Sequence, residues 1–409
     1  MQTLSPKYME KFQCIGSKCE DTCCTGWRIS VDKKTYKKYR NIKDSDFKKN
    51  LSKNILRDKK SENEEVYAYM RLDNDIRCTM LSEDLLCNIQ LKFGESYLSN
   101  TCAIYPRNYN EVDNYIEESG SISCPEMARL VLLNPDKMEF DVKERSEKGF
   151  RNRVGKKIKT KKTDVSIEQH FWAIRMFTIK ILQSRQYSIS ERLIILGFFC
   201  QEIEILINKN QLDNVDLLEK QFEYLLANKH FEDTLNDIPS NSITILKFLN
   251  LISKKLKDAS HINTRYYEIL KQVVQGFEFN ETTIVENFVE RFTEINNLYY
   301  QPYMLKNEHI MENYLVNYVF KNTFPLSLDK SASLIKNYYM MVVHFLLLKL
   351  HLIGLASHFK ELNRDIIIKA IQSFSKTIEH NHEYLKQVYD LLEKDNQLRL
   401  DYIASILKD

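Results

Sequence analysis

The stretch Cys14-Ile15-Gly16-Ser17-Lys18-Cys19-Glu20-Asp21-Thr22-Cys23-Cys24-Thr25-Gly26-Trp27 decides how this chain reads. It packs four of the nine cysteines into fourteen residues, as Cys-x4-Cys-x3-Cys-Cys. Further along, Cys78-x8-Cys87-x14-Cys102-x21-Cys124 completes a set of eight thiols, and beyond it only Cys200 remains. Thiols gathered in one part of a chain are disulfide staples or metal ligands. The N-terminus, Met1 to Tyr8, has neither the apolar stretch nor the cleavage site of a secretory signal, so the expected compartment is the reducing cytoplasm. Disulfides are rare there. Neighbouring residues such as Cys23 and Cys24 rarely bridge each other, but each can serve a different site, or one can stand behind a ligand. Metal is the expectation, with Cys14, Cys19, Cys23, Cys24, Cys78, Cys87, Cys102 and Cys124 as ligands. Four thiolates hold zinc or an iron–sulfur cluster, and eight suffice for two sites. The spacing does not choose the metal.

Outward from the cysteines the chain changes character. Of 409 residues, 43% are hydrophobic and 28% charged, an ordinary globular composition. Only nine glycines and seven prolines punctuate it, which disfavours an all-β fold. The expected fold class is mainly α: a small Cys-rich metal-binding α+β region over residues 1–140, a basic linker over 141–163, and an all-helical body over 164–409. Short strands are expected at Val66–Met70 and Asn114–Ser123, and a helix over Leu85–Leu98. Another helix should start at Pro125, with Glu126 in its first turn. That start places Cys124 at a helix N-terminus, whose partial positive charge favours a thiolate. Residues 143–162 carry ten Lys or Arg against two Glu and read as a solvated connector. After them, stripes such as Ile245, Leu249, Ile252 and Leu256 recur at helical spacing. The longest apolar run, Tyr338 to Ala356, contains His344, Lys349 and His351 and reads as a buried core helix, not a membrane span. A formal charge of +3 gives no reason to expect nucleic acid.

Several familiar chemistries are absent. No two glycines lie closer than six residues apart, so there is no dinucleotide loop and no P-loop. No Gly-x-Ser-x-Gly elbow occurs. Cys19-x3-Cys23 runs straight into Cys24, which breaks the Cys-x3-Cys-x2-Cys spacing of radical enzymes. His344, His351 and His358 share a helix face but step about 10.5 Å along the axis, too far to ligate one ion. The tyrosines at 299, 300, 303, 314 and 318 read as core or groove lining, and Cys200 as an inert core thiol. Tyr105-Pro106-Arg107 offers a fixed backbone and a rigid guanidinium fork for a carboxylate. Trp27, close behind the cysteine pair, can shield a metal or stack on an aromatic ligand.

The ordered set Tyr8, Phe12, Cys14, Cys19, Cys23-Cys24, Trp27, then Cys78, Cys87-Asn88-Ile89-Gln90, Gly94-Glu95, Leu98-Ser99, Cys102, Tyr105-Pro106-Arg107 and Ser123-Cys124-Pro125-Glu126 resembles the flagellin lysine N-methylase family. The resemblance covers about residues 8–130. It implies a cytoplasmic bacterial enzyme that methylates lysine side chains of flagellin, with S-adenosylmethionine as donor and a 4Fe-4S cluster, or alternatively zinc, as metal centre. Such an enzyme faces a definite obstacle. A lysine amine with pKa near 10.4 is neutral in only about one molecule in 2,500 at pH 7, and the protonated form has no lone pair. The site must desolvate the amine or offer it a base, then align it with the methyl group. The candidate catalytic residues are Tyr105, Tyr109 and Asp21. Arg107 is the candidate for the donor carboxylate and Trp27 for the cofactor. The missing glycine-rich loop motivates a different reading, a non-catalytic metal-stabilised protein-binding module. The adjacent cysteine pair motivates a redox sensor.

Overall fold

A computed structural model describes residues 2–145, 154–161, 166–241, 243–257, 263–279, 285–326, 333–379, 381–394 and 398–408. Eight strands occur among them: β1 (Gln2–Pro6), β2 (Ser30–Val31), β3 (Ile55–Arg57), β4 (Ala68–Met70), β5 (Arg107–Val112), β6 (Tyr115–Gly120), β7 (Phe140–Glu144) and β8 (Val154–Ile158). They form a five-stranded sheet in the order β7-β1-β6-β5-β8 and a three-stranded sheet in the order β2-β4-β3. In the larger sheet β5 and β6 make an antiparallel hairpin, while β1 runs parallel to β6 and β8 parallel to β5. Asp113 turns the hairpin at φ 54°, a conformation short polar side chains tolerate. Its carboxylate then accepts bonds from the Thr160 amide and hydroxyl and from the Trp172 indole, tying the strand end after β8 to the first long helix.

The basic segment is therefore only partly a connector. Both edges of the larger sheet, β7 and β8, come from it, while residues 146–153 and 162–165 lie outside the described residues. Lysine-rich composition suits an edge strand, because charge there discourages pairing with a further chain. The same composition hides the strand from a periodicity reading. The helix expected over Leu85–Leu98 is shorter, Asn88–Phe93 with a 3-10 turn at Glu95–Tyr97. Gly94 breaks it at φ 77°. The helix at Pro125–Leu132 starts where Pro125 and Glu126 place it.

Three buried apolar clusters occur among the described residues; the smallest is Val112, Ile158 and Phe171, and the two larger ones do not divide at residue 140. Of those two, one is small and holds Cys24, Ile29, Val31, Tyr39, Leu51, Met70, Cys78, Met80, Ile89 and Leu98. The other runs from Tyr8, Ile122 and Met127 through the helices to Leu407. The thiol-rich lobe thus occupies the span between β1 and β5, while the helix Pro125–Leu132 joins the helical body. Tyr8 shows the join. Its hydroxyl donates to Asn317 Oδ1 at 2.5 Å and accepts the Gly120 amide at 3.0 Å.

The Leu334–Phe359 helix is the axis of the body. Ser333 caps it by accepting the Lys336 amide, and it ends at Lys360 in the left-handed conformation. It is apolar on all sides because neighbours cover all sides. Gly354 lets it approach the Thr264–Gly276 helix: a Cβ on Gly276 would sit 1.9 Å from the Gly354 carbonyl. His344 and His351 are buried, and their Nδ1 atoms face the carbonyls of Met340 and Leu347 one turn earlier. They are core polar groups, as their spacing suggests. The tyrosines at 300 and 314 are core residues too, and 299, 303 and 318 pack against the core. Cys200 is fully buried and burial drives its pKa well up.

His351 gives the fold a pH dependence. Its Nδ1–H donates to Leu347 O at 2.6 Å and Nε2 accepts from the Tyr266 hydroxyl at 2.8 Å, so the neutral ring is satisfied. Burial pushes its pKa down to about 4. The unfolded chain, with an ordinary value of about 6.5, binds the proton first as pH falls. This contribution to stability is therefore complete above the unfolded pKa and is lost toward the folded one, at up to ~1.4 kcal/mol per pH unit. Urea unfolding at about pH 7 and about pH 5 should show a shallower loss for His351→Gln than for the parent chain, and equal slopes would refute the assignment.

Candidate thiol site and its junction with the helical body

The thiol loop is shaped by local bonds. Asp21 Oδ1 accepts the Thr22 amide at 2.8 Å, and Thr22 Oγ1 accepts the Cys24 amide at 3.2 Å. Gly26, at φ 89°, turns the chain so that its amide reaches Ile76 O at 3.0 Å. Ile76 is itself at φ 58°, a strained position for a β-branched residue. Two residues on, the Cys78 amide donates to Cys24 O at 2.8 Å. Two distant cysteine segments are thereby laid side by side.

All nine cysteines are free. The eight clustered ones fall into two neighbourhoods. Cys24 and Cys78 are buried in the small core, and Cys87 and Cys102 pack against it. The Cys24 thiol is within hydrogen-bonding reach of both Cys23 and Cys87. As its acceptor, Cys87 is drawn down to about 6, although burial opposes this; the Gln90 and Ile89 amides of the following helix add to the effect. Cys23 moves down for the same reason, and Cys24, the donor, moves far up. Burial lifts Cys78 to about 11 against the Met80 amide, and Cys102 to about 12 against the Ser99 hydroxyl.

The second neighbourhood is Cys14, Cys19 and Cys124, which influence one another electrostatically. Cys124 packs against the core of the helical body, not that of the small lobe. It is the N-cap of Pro125–Leu132, and the Met127 and Glu126 amides do face its sulfur. Those amides pull the thiol toward the thiolate, as a helix N-terminus should, but burial outweighs them and raises it to about 12. The loop carrying Cys19 is pinned to this helix by the ion pair of Glu20 with Arg129.

Among the described residues, no three His, Cys, Asp or Glu side chains stand in an arrangement that could hold a metal ion. Thiolates are the donor type that zinc and iron–sulfur clusters take. Four thiols from separate segments share one small core, and backbone amides face the sulfurs of Cys19, Cys78, Cys87 and Cys124. Cys23 is exposed, and its charge acts on Cys78 and Cys102 and also on Tyr105.

The other candidate residues separate into two places. Trp27, Tyr105 and Asp21 gather beside the thiols. Trp27 and Tyr105 stack with centroids 5.9 Å apart, and the Trp27 indole donates to Cys23 O at 2.8 Å. Tyr105 follows a cis path into Pro106, and its hydroxyl lies 3.1 Å from Ser123 Oγ. Burial, and then the charge of Cys124, raises Tyr105 well above the ordinary tyrosine range, so it stays a hydrogen-bond donor. Tyr109 and Arg107 instead face Glu118 on β6. The Tyr109 hydroxyl donates to Glu118 Oε1 at 3.1 Å, with Arg107 Nε 3.5 Å from the same oxygen and Arg145 Nη1 2.5 Å from the other. Tyr109 is raised by burial and by that carboxylate, and is no base at neutral pH.

Sequence reasoning missed the residues that hold Asp21. Lys376 Nζ donates to Asp21 Oδ1 and Oδ2 at 2.9 and 2.8 Å, and to Thr22 O at 2.9 Å. Gln372 Nε2 donates to Asp21 Oδ2 and to Ser123 O, both at 2.8 Å. Both lie on the Arg364–Thr377 helix of the body. The available signal was a polar pair four residues apart inside the apolar stripe Ile368, Ile371 and Phe374.

Residues 175–406, more than half of the chain, match the family described as the FliB lysine N-methylase C-terminal domain. The chain is 36% identical to flagellar biosynthetic protein FliU of Salmonella muenchen over 139 residues, 34% of this chain and 81% of that protein. It is 35% identical over 139 residues to lysine-N-methylases of Salmonella typhimurium and Salmonella choleraesuis, again 34% of this chain but only 34% of each of those proteins. The matched stretch thus spans about a third of the length of the two lysine-N-methylases. No solved structure matches. The family span contains Gln372 and Lys376, and of the nine cysteines only Cys200.

Proposed function

Since the chain belongs to the FliB lysine N-methylase family, a family of protein-lysine methyltransferases, we propose that it methylates lysine side chains of flagellin with S-adenosylmethionine as donor. The family match over residues 175–406 carries this reading, and the flagellar relative favours flagellin as substrate. The proposal includes a cysteine-ligated centre in the thiol-rich lobe, of iron–sulfur type, drawn from Cys23, Cys24, Cys78, Cys87 and Cys102. Such a centre would supply a rigid, negatively charged knot joining the four segments of the lobe.

The chain's own residues suit the handling of an amine. Trp27 and Tyr105 present stacked rings at the edge of the thiol loop, and aromatic faces attract an ammonium group while displacing its water. Removing water lowers the pKa of an amine, which raises its neutral fraction. Tyr105 keeps its proton and orients by donating, and Asp21 lies beside it as the carboxylate of the junction. Tyr109 and Arg107, committed to Glu118, serve the sheet.

The test is transfer itself. Protein reconstituted anaerobically with iron and sulfide should add the mass of whole methyl groups to flagellin lysines when given labelled S-adenosylmethionine. Donor binding by calorimetry without any transfer would sink flagellin as the substrate. Absence of donor binding would sink the methylase reading and leave a metal-stabilised binding module.

A further inference from the structure

Every clustered thiol lies outside the family domain, yet one helix of that domain touches the loops beside both thiol neighbourhoods. Gln372 is fully buried and divides its amide between Asp21, two residues before Cys23, and the Ser123 carbonyl, directly before Cys124. Four residues along the same face, Lys376 spends all three ammonium protons on Asp21 and Thr22. Side-chain exposure is 6% for Lys376 and 11% for Asp21, so water does not share this pair. The lysine stem passes Gly26, where an added Cβ would meet Cε at 3.7 Å and Asn263 Nδ2 at 3.5 Å. Arg265, on the Thr264–Gly276 helix, adds a bond from Nη1 to Glu20 O at 3.3 Å and one from Nε to Ser373 Oγ at 3.3 Å.

The charges follow a pattern. Glu20 is held by Arg129 and Asp21 by Lys376. Both acids of the loop are thus neutralised by cations from outside it, and the positive charge of Lys376 also acts on Cys23. A loop of short local bonds cannot fix its own place relative to Cys124, some hundred residues away. A saturated polar pair on a rigid helix can, because any shift of the loop leaves a buried charge unpaired.

We infer that Gln372 and Lys376 are positioning residues for the thiols: together they hold the Asp21–Cys24 loop and the Ser123–Cys124 turn in one frame, making the family domain part of the thiol site. This deepens the function proposed above but rests on the polypeptide alone, so it is tested without metal. In reduced, metal-free protein, alkylation of each cysteine is timed by mass spectrometry. Lys376→Met and Gln372→Leu should each speed modification of Cys24 and Cys124 by on the order of tenfold, while Cys200 stays protected. Lys376→Arg should restore most of the protection, since it keeps the charge and the donors. Asp21→Asn combined with Lys376→Met should lie closer to the parent than Lys376→Met alone, because no unpaired carboxylate remains. Unchanged rates in both single variants overturn the inference. So does exposure of Cys200 in every variant, including Lys376→Arg and the double variant, because the residues would then support the fold at large. Iron and sulfide content after anaerobic reconstitution separates the two readings: faster alkylation in the variants, with no iron bound by the parent, keeps the positioning role and sinks the metal centre.

Discussion

Replacing Arg175 by methionine should destabilise the protein by about 3–5 kcal/mol, the usual cost of leaving a buried charge without its partner. Arg175 and Glu117 are each 1% exposed. Arg175 Nη1 donates to Glu117 Oε2 at 2.9 Å and Nη2 to Oε1, a two-pronged bond that a planar guanidinium makes and an ammonium does not. The rings of Phe171, Trp172 and Phe320 surround the guanidinium at 4.5, 4.7 and 5.0 Å. Glu117 sits on β6, the middle strand of the larger sheet, and Arg175 on the Phe171–Leu182 helix, so this pair fastens sheet to body. The double variant Arg175→Met with Glu117→Leu should recover much of the loss, because apolar groups of similar size need no solvation. Urea unfolding measures both. A loss under about 1 kcal/mol in the single variant would mean that water reaches the carboxylate, contrary to its burial.

If the proposed metal centre holds the thiol-rich lobe, stripping its metal, or replacing Cys87 by serine, should unfold that lobe and spare the rest. The small core contains a dozen buried residues between Cys24 and Leu98, and its strands are two or three residues long. A core of that size supplies little stability of its own, whereas structural zinc supplies about 10–16 kcal/mol in zinc-finger peptides. Hydrogen exchange after chelation should show protection lost across residues 29–103 and kept in β1, β5 and β6, which pair within the larger sheet, and in the Pro125–Leu132 helix, which belongs to the large core. The boundary therefore differs from the division at residue 140 that the sequence suggests. Serine at Cys14, Cys19 or Cys124 should leave the lobe protected, because those thiols stand in the second neighbourhood. Unaltered protection once metal analysis shows the ion gone would overturn the staple, and equal damage from Cys124→Ser would overturn the partition.

How much of this was legible depended on the distance over which each feature is encoded. Pro125 and Glu126 announce a helix because capping is settled within one turn, and the structure starts it there. The stripe through Ile245 and Leu249 likewise yields the Ile243–Lys257 helix. β1 went unseen because Gln2–Pro6 is a strand only in the company of Tyr115–Glu117 and Phe140–Glu144. β7 and β8 went unseen because edge strands carry the lysines that also mark solvated connectors. Of the candidate site, the identity of the thiols was plain and their grouping was not. Tyr105, Trp27 and Tyr109 were singled out for their nearness to cysteines; the first two stack beside the thiol loop, while Tyr109 faces Glu118. Gln372 and Lys376 could not be read as site residues, since their partners stand some 250 to 350 positions away.

By itself the sequence determined the inventory: a thiol-rich span, a run of helices, the motif set of a lysine methylase family and the absence of a glycine-rich cofactor loop. Each of these is a property of residue type and short spacing, and local backbone physics acts on such patterns directly. Only the tertiary structure decided that the thiols form two neighbourhoods, that the lobe carrying most of them sits between two strands of one sheet, and that a lysine and a glutamine from the far end of the chain hold the loop between them. Those outcomes depend on pairing buried charges and strand edges between segments remote in sequence. Their energy exists only once the segments have met.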